Sequence, residues 1–355
     1  MENHLSSQQM LAETDPGHPG TESGHLQAAK LGVRFRAALK RLLKLLLWLS
    51  LLVALRASNR QAGLVLLYHD IGDRDGDPRC DIVPPISRAR FARQLSHLRR
   101  HYGLVDLPDL PTAVAARRRG EPFPVALTFD DDLGHHVTHA LPELQAADVP
   151  ATFFLCGSFL GDAPRDYWWQ RLQRAVDRGA DVTPLLGTGT IYQQGQAMKA
   201  LSPERCDAVA DELSHLAGPA PASELLTAED ARRLPHIGFH TVRHDRLTDL
   251  DDEQLARALV DGRAGLSELA GYPIDTIAYP YGHFDSRAVA AARESDFKIG
   301  LTCEREAVTP SSDPLALGRY EAPFRGWTGE FAFDVVRTLL LPPTPTTASS
   351  ASARC

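Results

Sequence analysis

From Gln61 onward, short apolar runs alternate with stretches whose apolar residues recur at helical spacing. LVLLY (64–68), PVALTF (124–129), ATFFL (151–155), HIGF (236–239), DTIAY (275–279) and KIGLT (298–302) read as strands. Helices are predicted over 87–101, 136–147, 165–178, 252–270 and 284–295, with Ser87 and Asp285 as N-caps or first-turn acids. Regular strand–helix alternation predicts an α/β fold with a parallel sheet. Residues 180–235 break the rhythm and read as an insertion in a domain spanning 61–340. No internal repeat is visible.

The two ends of the chain follow other rules. Residues 1–32 are rich in Ser, Gly, His, Gln and Glu and lack apolar periodicity, so they read as disordered. The Pro, Thr, Ser and Ala of 341–355 give the same reading. Between them, in residues 33–60, Arg34, Arg36, Lys40, Arg41 and Lys44 precede an apolar run from Leu45 to Leu55, and Arg56 and Arg60 follow it. This run is shorter than the roughly 20 residues of a comfortable membrane span. Its basic flank and the small residues after it resemble a signal peptide or N-terminal anchor. An amphipathic helix lying on a membrane, or packed on the domain, is the other reading. Membrane contact through 33–60 is expected. The protein is then membrane-associated or exported to the cell envelope, although a cytoplasmic location also fits.

Composition adds exclusions. At 43% hydrophobic and 23% charged the chain is ordinary globular protein. A formal charge of -7 argues against a nucleic-acid partner. Cys80, Cys156, Cys206, Cys303 and Cys355 are far apart and odd in number, which suggests unpaired or buried thiols. There is no GxSxG elbow and no phosphate-binding GxxxxGK[ST] loop, so neither a serine esterase nor a P-loop enzyme is expected.

The informative residues follow the strands. In parallel α/β folds, function collects at the C-terminal ends of strands. There the chain places His69 and Asp70, then Asp130, Asp131 and Asp132, then HTVRH with His240 and His244, then Pro280–Tyr281–Gly282. Two histidines and a carboxylate form a common three-ligand zinc or transition-metal site. A second carboxylate would serve as general base and a free histidine as general acid. Spacing alone does not select the histidines, because four pairs stand at i, i+4. His97/His101 reads as a solvated helix face. His135/His139 sits at a helix start near the aspartates. His236 precedes its strand, on the far side from the strand's exit. Only His240/His244 straddles a strand exit.

TFDDD, HTVRH and YPYG, in that order, resemble the polysaccharide deacetylases of carbohydrate esterase family 4. The resemblance covers about residues 64–322. It implies a distorted (β/α)7-type barrel and a metal-dependent hydrolase that removes acetyl groups from N-acetylated glycans. The metal would be divalent, zinc first. By this resemblance Asp130 is the base, Asp131, His240 and His244 are the metal ligands, and Tyr281 offers its backbone N–H to the oxyanion.

The chain departs from the family in several places. Asp132 stands where the family has Gly, and reads as a turn residue. Ala278 replaces an arginine, and Arg319 in LGRYEAP is a substitute cation for the base, against an ordinary structural arginine. No late acid-histidine motif exists. LLYHDI resembles the arrangement of circularly permuted members, which makes His69 the acid and Asp70 its orienting partner.

Two other features have alternative readings. Trp168 and Trp169 are either sugar-stacking faces or core. Arg165, Arg171, Arg174 and Arg178 read as a solvated face. Rival functions are a deacylase, acetyl or formyl, of a lipid-linked sugar, and an inactive glycan-binding protein with the same fold.

Overall fold

The structure is a computed structural model and describes residues 39–40, 42–158 and 166–343. The expectations for residues 1–32, Arg34, Arg36, Arg165, Cys355 and the tail from 344 lie outside the described residues. The chain divides into residues 1–47 and 48–355. In the first unit the described residues are helical, and Leu39, Leu42, Leu43, Leu45, Leu46 and Leu47 are exposed. Among the described residues no helix is long and apolar enough to cross a membrane.

Among its described residues the second unit contains ten strands. They are β1 Leu64–Tyr68, β2 Ile71–Gly72, β3 Ile86–Ser87, β4 Gly103–Leu104, β5 Pro124–Asp130, β6 Thr152–Leu155, β7 Ile237–Phe239, β8 Thr276–Ala278, β9 Ile299–Leu301 and β10 Arg319–Glu321. The main sheet runs β10-β1-β5-β6-β7-β8-β9, with β4 also on β5, while β2 and β3 pair separately. Every named pairing is parallel. A parallel bridge from Leu301 to Leu317, with the Thr302 N–H donating to the Leu317 carbonyl, brings β9 beside the residues that enter β10. The sheet is therefore a nearly closed barrel, as the resemblance implies.

All residues of β1 and β5 are buried, as expected for strands covered on both faces. Phe129 stacks between Tyr68 and Phe153, with centroids 5.2 and 4.7 Å away. The expected strands lie within one residue of those observed. The strand β10 had no expectation, because three residues with two charges carry no apolar pattern.

The helix expected over 252–270 is two helices, Asp252–Val260 and Arg263–Ala270. Gly262 breaks it at φ 77°, and a Cβ there would lie 2.8 Å from the Gly157 Cα. The close approach of these glycines requires the break.

Three expectations about surfaces are corrected. His97 and His101 are half-buried against Trp48, with centroids 5.2 and 5.0 Å away. Trp48, Leu52 and Leu55 join the main core, so packing extends upstream of Gln61. Arg174 is buried rather than solvated, and pairs with Asp166 and with Glu224. Cys303 is disulfide-bonded, contrary to the reading of unpaired or buried thiols, whereas Cys80, Cys156 and Cys206 are free.

The segment after β6 builds a second core. Tyr167, Trp168, Trp169 and Leu172 pack with Met198, Val209 and Leu213. They come from helices Trp168–Asp177, Ile191–Lys199 and Pro203–Ala217. This small helical layer lines the cleft at the strand exits.

Candidate functional site

Strand β5 delivers Asp130 at its last residue, and the chain then turns sharply. Asp131 has φ 75°, and Thr241, His244 and Tyr281 are also left-handed at 66°, 62° and 57°. For residues other than glycine this conformation costs energy and needs support from its surroundings. The buried ring of His136 supplies some. Its Nε2 donates to the carbonyls of Asp130 and Asp131 at 3.0 and 2.9 Å, which defines its tautomer. Sequence reasoning missed His136, because neither its spacing nor the motifs distinguish it from His135.

The residue expected to sit in the turn, Asp132, does not. The positive φ belongs to Asp131, and Asp132 is a buried acceptor. It receives the Cys156 N–H at 2.9 Å and the Tyr167 hydroxyl at 2.8 Å. Burial pushes its carboxyl up to about 7, against these two bonds. Asp132 thus ties the β5 exit to the β6 exit and to the helical layer.

Arg319 is fully buried and grips Asp130 with both arms, at 2.7 and 2.8 Å. Its Nε donates to the Thr302 carbonyl. Burial alone would raise the Asp130 pKa. Arg319, with smaller contributions from His240 and His69, outweighs burial and holds the carboxyl below its usual range.

Asp131, His240 and His244 converge, with one ligand atom from each within 4.8 Å of the others. Asp131 Oδ1 is 3.7 Å from His240 Nε2 and 3.4 Å from His244 Nε2. The His240 Nδ1 donates to the Ala278 carbonyl at 2.8 Å, leaving Nε2 toward Asp131. A backbone partner of this kind orients a ligating imidazole.

The donor set fits a divalent cation. Asp131 Oδ1 is buried and has no hydrogen-bond partner. Burial, then Asp130 and Asp132, push its carboxyl well up. Burial also lowers the pKa of both imidazoles and keeps them neutral, the form that binds metal. A cation would offset the cost of the buried carboxylate. Among the described residues no other histidine joins this cluster. His135 bonds Asp70 at 2.8 Å, and His236 stacks on Tyr272 away from the strand exits.

His69 lies at the β1 exit and lines the same cavity, of about 750 Å3, as Asp130, Asp131 and Tyr281. Asp70 does not orient it, because Asp70 is engaged by His135. Glu321 on β10 faces His69 instead, with Oε1 3.7 Å from Nδ1. Glu321 was missed, since nothing in the local sequence links it to a histidine some 250 residues away. Burial lowers the His69 imidazole to about 4, against the upward pull of Asp130.

The tryptophans fit both readings made from sequence. Both are largely buried and both line the cavity. Trp168 Nε1 donates to the Tyr281 hydroxyl at 3.1 Å, and Trp169 lies 5.0 Å from the His244 ring.

Comparison with known proteins bears on the family and the fold. The polysaccharide deacetylase family profile matches residues 117–183 and 211–300. The fold is similar to a Streptococcus pyogenes deacetylase solved with acetate. That match has 16% identity and a TM-score of 0.52, and covers 78% of this chain and 98% of that one. A Bacillus cereus polysaccharide deacetylase is similar at 18% identity and TM-score 0.51, covering 77% of this chain and 69% of that one. A de-N-acetylase from Aggregatibacter actinomycetemcomitans is similar at 16% identity and TM-score 0.51, covering 77% and 99%. At these identities the likeness concerns the fold. No curated protein matches the sequence.

The cluster predicts stoichiometric metal binding. Chelator-stripped protein should regain about one zinc per chain, and saturating zinc at 100 times Kd should add about 2.7 kcal/mol of stability. Asp131→Asn should lose most of both effects. Elemental analysis and calorimetric melting check this, and equal zinc content in Asp131→Asn would refute the assignment.

Proposed function

This chain belongs to the polysaccharide deacetylase family, hydrolases of carbon–nitrogen bonds other than peptide bonds, and we propose that it removes acetyl groups from an N-acetylated glycan in the cleft at the strand exits. The observation that carries the reading is the pair of adjacent carboxylates in two environments. Asp130 is held ionised by Arg319, and the orphaned oxygen of Asp131 faces two neutral imidazoles.

Asp131, His240 and His244 would hold the divalent cation, with zinc favoured by two imidazoles and one carboxylate. The cation supplies an electrophile that polarises the acyl carbonyl and acidifies the attacking water. Asp130 accepts the proton of that water. Arg319 keeps the base ionised and aimed. The left-handed turn at Tyr281 presents its backbone N–H to the oxygen that gains charge. His69 returns a proton to the departing amine nitrogen, with Glu321 facing its other side. Burial disfavours the protonated form of His69 and the field of Asp130 favours it; the proton given to the amine is made good by the one that Asp130 takes from water. Its place upstream of the other motifs follows the permuted arrangement. Trp168 and Trp169 offer aromatic faces to the sugar.

Three variants test these roles through acetate release from N-acetylated oligosaccharides. Asp130→Asn should abolish release, and His69→Gln should lower kcat about 10²- to 10⁴-fold. The pH profile tests Arg319. Asp130 has a depressed pKa, so its ionised form, and the stability it adds, persist above the usual carboxylate range and are lost only as pH falls through the depressed value. Arg319→Met removes the main lowering cause and leaves burial, so the acid limb of kcat/KM should move to higher pH. An unmoved limb would remove Asp130 as the base that Arg319 holds.

A second observation supports membrane contact. In the first unit Leu39, Leu42, Leu43, Leu45, Leu46 and Leu47 are exposed, and Lys40 and Lys44 lie among them. We propose that this stretch rests on an anionic lipid surface, which makes a lipid-linked sugar the second substrate reading. The full chain should sediment with anionic vesicles. A variant with Leu42, Leu43 and Leu46 changed to Ser should stay in solution, and equal sedimentation of the two would overturn the proposal.

A further inference from the structure

The strands of the main sheet all run the same way, so the barrel has an entry end and an exit end. The candidate site occupies the exit end. At the entry end Leu107, Leu110 and Val114 pack with Val65, Ala126 and Phe154 and plug the barrel. Beside the plug, the helical residues 48–56 meet the last turns of two helices. Trp48 packs on His97 and His101 of helix Arg88–His101, and Arg56 donates to the His101 carbonyl. Arg60 Nε donates at 2.8 Å to the Leu339 carbonyl, just past helix Thr328–Thr338. The Gly120 N–H donates to the Arg56 carbonyl at 2.7 Å, which brings the turn before β5 to the same place.

Five exposed arginines surround this junction. Arg99 and Arg100 lie in the last turn of one helix and Arg337 in the last turn of the other, while Arg118 and Arg119 lead into Gly120. Among the described residues none of the five is held in an ion pair. At the other end of helix Arg88–His101 the arginines do have partners, Arg88 with Glu143 and Arg90 with Asp75. Glu143, the acid of the groove that Arg99 and Arg100 line, is thus already engaged. Arg117 is buried and donates to the carbonyls of Arg56, Ser58, Arg60 and Glu121, which pins the turn to the helical residues. Leu49, Val53 and Leu340 are 46%, 60% and 43% exposed, although their neighbours Trp48, Leu52 and Leu339 are core.

The chain as a whole is acidic, with a formal charge of -7. Gathering five guanidinium groups without carboxylates at one corner costs repulsion that an anionic partner offsets. The acid of the turn, Glu121, accepts the Arg118 backbone N–H at 2.8 Å. Asp106, Asp109 and Asp148 are exposed at the same end, but on the plug and before β6. Arginines alone would suit any polyanion. Leucine and valine held open among arginines suit a surface that offers both phosphate and acyl chain, which is the interface of an anionic bilayer.

We propose that this corner of the entry end docks on an anionic phospholipid surface, so that the cleft opens away from the bilayer onto a glycan in the aqueous phase. The strand β5, with seven residues, by itself separates the two ends by roughly 20 Å. This proposal rests on the membrane-contact reading above, adds the docking face, and favours the glycan over the lipid-linked sugar as substrate.

The first test is sedimentation of the full chain with phosphatidylglycerol-containing vesicles. Changing Arg100, Arg118 and Arg119 together to Gln should lower the partition coefficient about 10²-fold, roughly fivefold per arginine, and leave thermal melting unchanged. A control with the same charge loss elsewhere, Arg205, Arg232 and Arg257 to Gln, should bind as the parent does. Equal losses in the two triple variants, or none in the first, would overturn the docking face while membrane contact through the first unit stood. No sedimentation of the parent would overturn both. Tighter binding to double-stranded DNA than to the vesicles would assign the patch to another partner and overturn the proposal.

The second test reads orientation without using activity. In a Cys206→Ser background, a fluorophore on Cys80 reports the exit end, because Cys80 is exposed on the loop whose Pro78 and Ile82 line the catalytic cavity. A fluorophore placed through Arg119→Cys, with Cys80→Ser added, reports the entry end. A quencher carried on the lipid should dim the second and leave the first bright. Equal dimming, or stronger dimming at Cys80, would overturn the orientation.

Discussion

Two adjacent carboxylates buried at the end of one strand set the terms for the rest of this molecule. Neighbouring negative charges repel, and burial makes each far more costly than at a surface. The fold resolves the conflict by dividing them. Asp130 turns to Arg319, which is itself buried and anchored on Thr302. Asp131 turns the other way, to two imidazoles and an orphaned oxygen that suits a cation. Asp132, next in line, accepts a backbone N–H and a tyrosine hydroxyl. One tripeptide thus reaches the β10 wall, the histidine pair and the helical layer.

Dividing them so sharply requires unusual backbone. An extended strand alternates its side chains between faces, but a left-handed residue changes the direction of the chain. Asp131, Thr241, His244 and Tyr281 all adopt that conformation, and all follow the exits of β5, β7 and β8. Each such residue is affordable only where surrounding contacts hold it. The His136 ring bridging the Asp130 and Asp131 carbonyls, and the Thr241 hydroxyl accepting the His244 N–H, are contacts of that kind. Strain therefore concentrates where the side chains that converge on one point must leave from different strands.

The helical layer after β6 changes what the barrel can bind. It closes one side of the cleft with aromatic residues whose rings contact His244 and whose Trp168 indole holds the Tyr281 hydroxyl. It also has its own core, so its inward face can vary without disturbing the barrel's packing. The strand exits and the helical layer thus contribute different side chains to one cavity.

Much of this was legible in order along the sequence. The runs that became β1, β5, β6, β7, β8 and β9 announce themselves, because strands covered on both faces must be apolar throughout. Polar residues at their exits mark the functional end of the sheet, and the motifs supply the family. Pairings across the barrel were not legible. The Arg319 bond to Asp130 had only a weak basis, and Glu321 beside His69 had none, since both sit on a three-residue strand without apolar pattern. Asp70 was the natural partner for His69 by proximity in sequence, yet adjacent residues of extended chain point apart, and Asp70 reaches His135 instead. The place of the left-handed turn, at Asp131 rather than Asp132, was likewise decided by packing. Sequence alone determined which elements form and which residue types their ends carry, because these depend on local burial and spacing. Tertiary structure decided which charge meets which, because that depends on barrel closure, which brings the ends of distant strands to one rim.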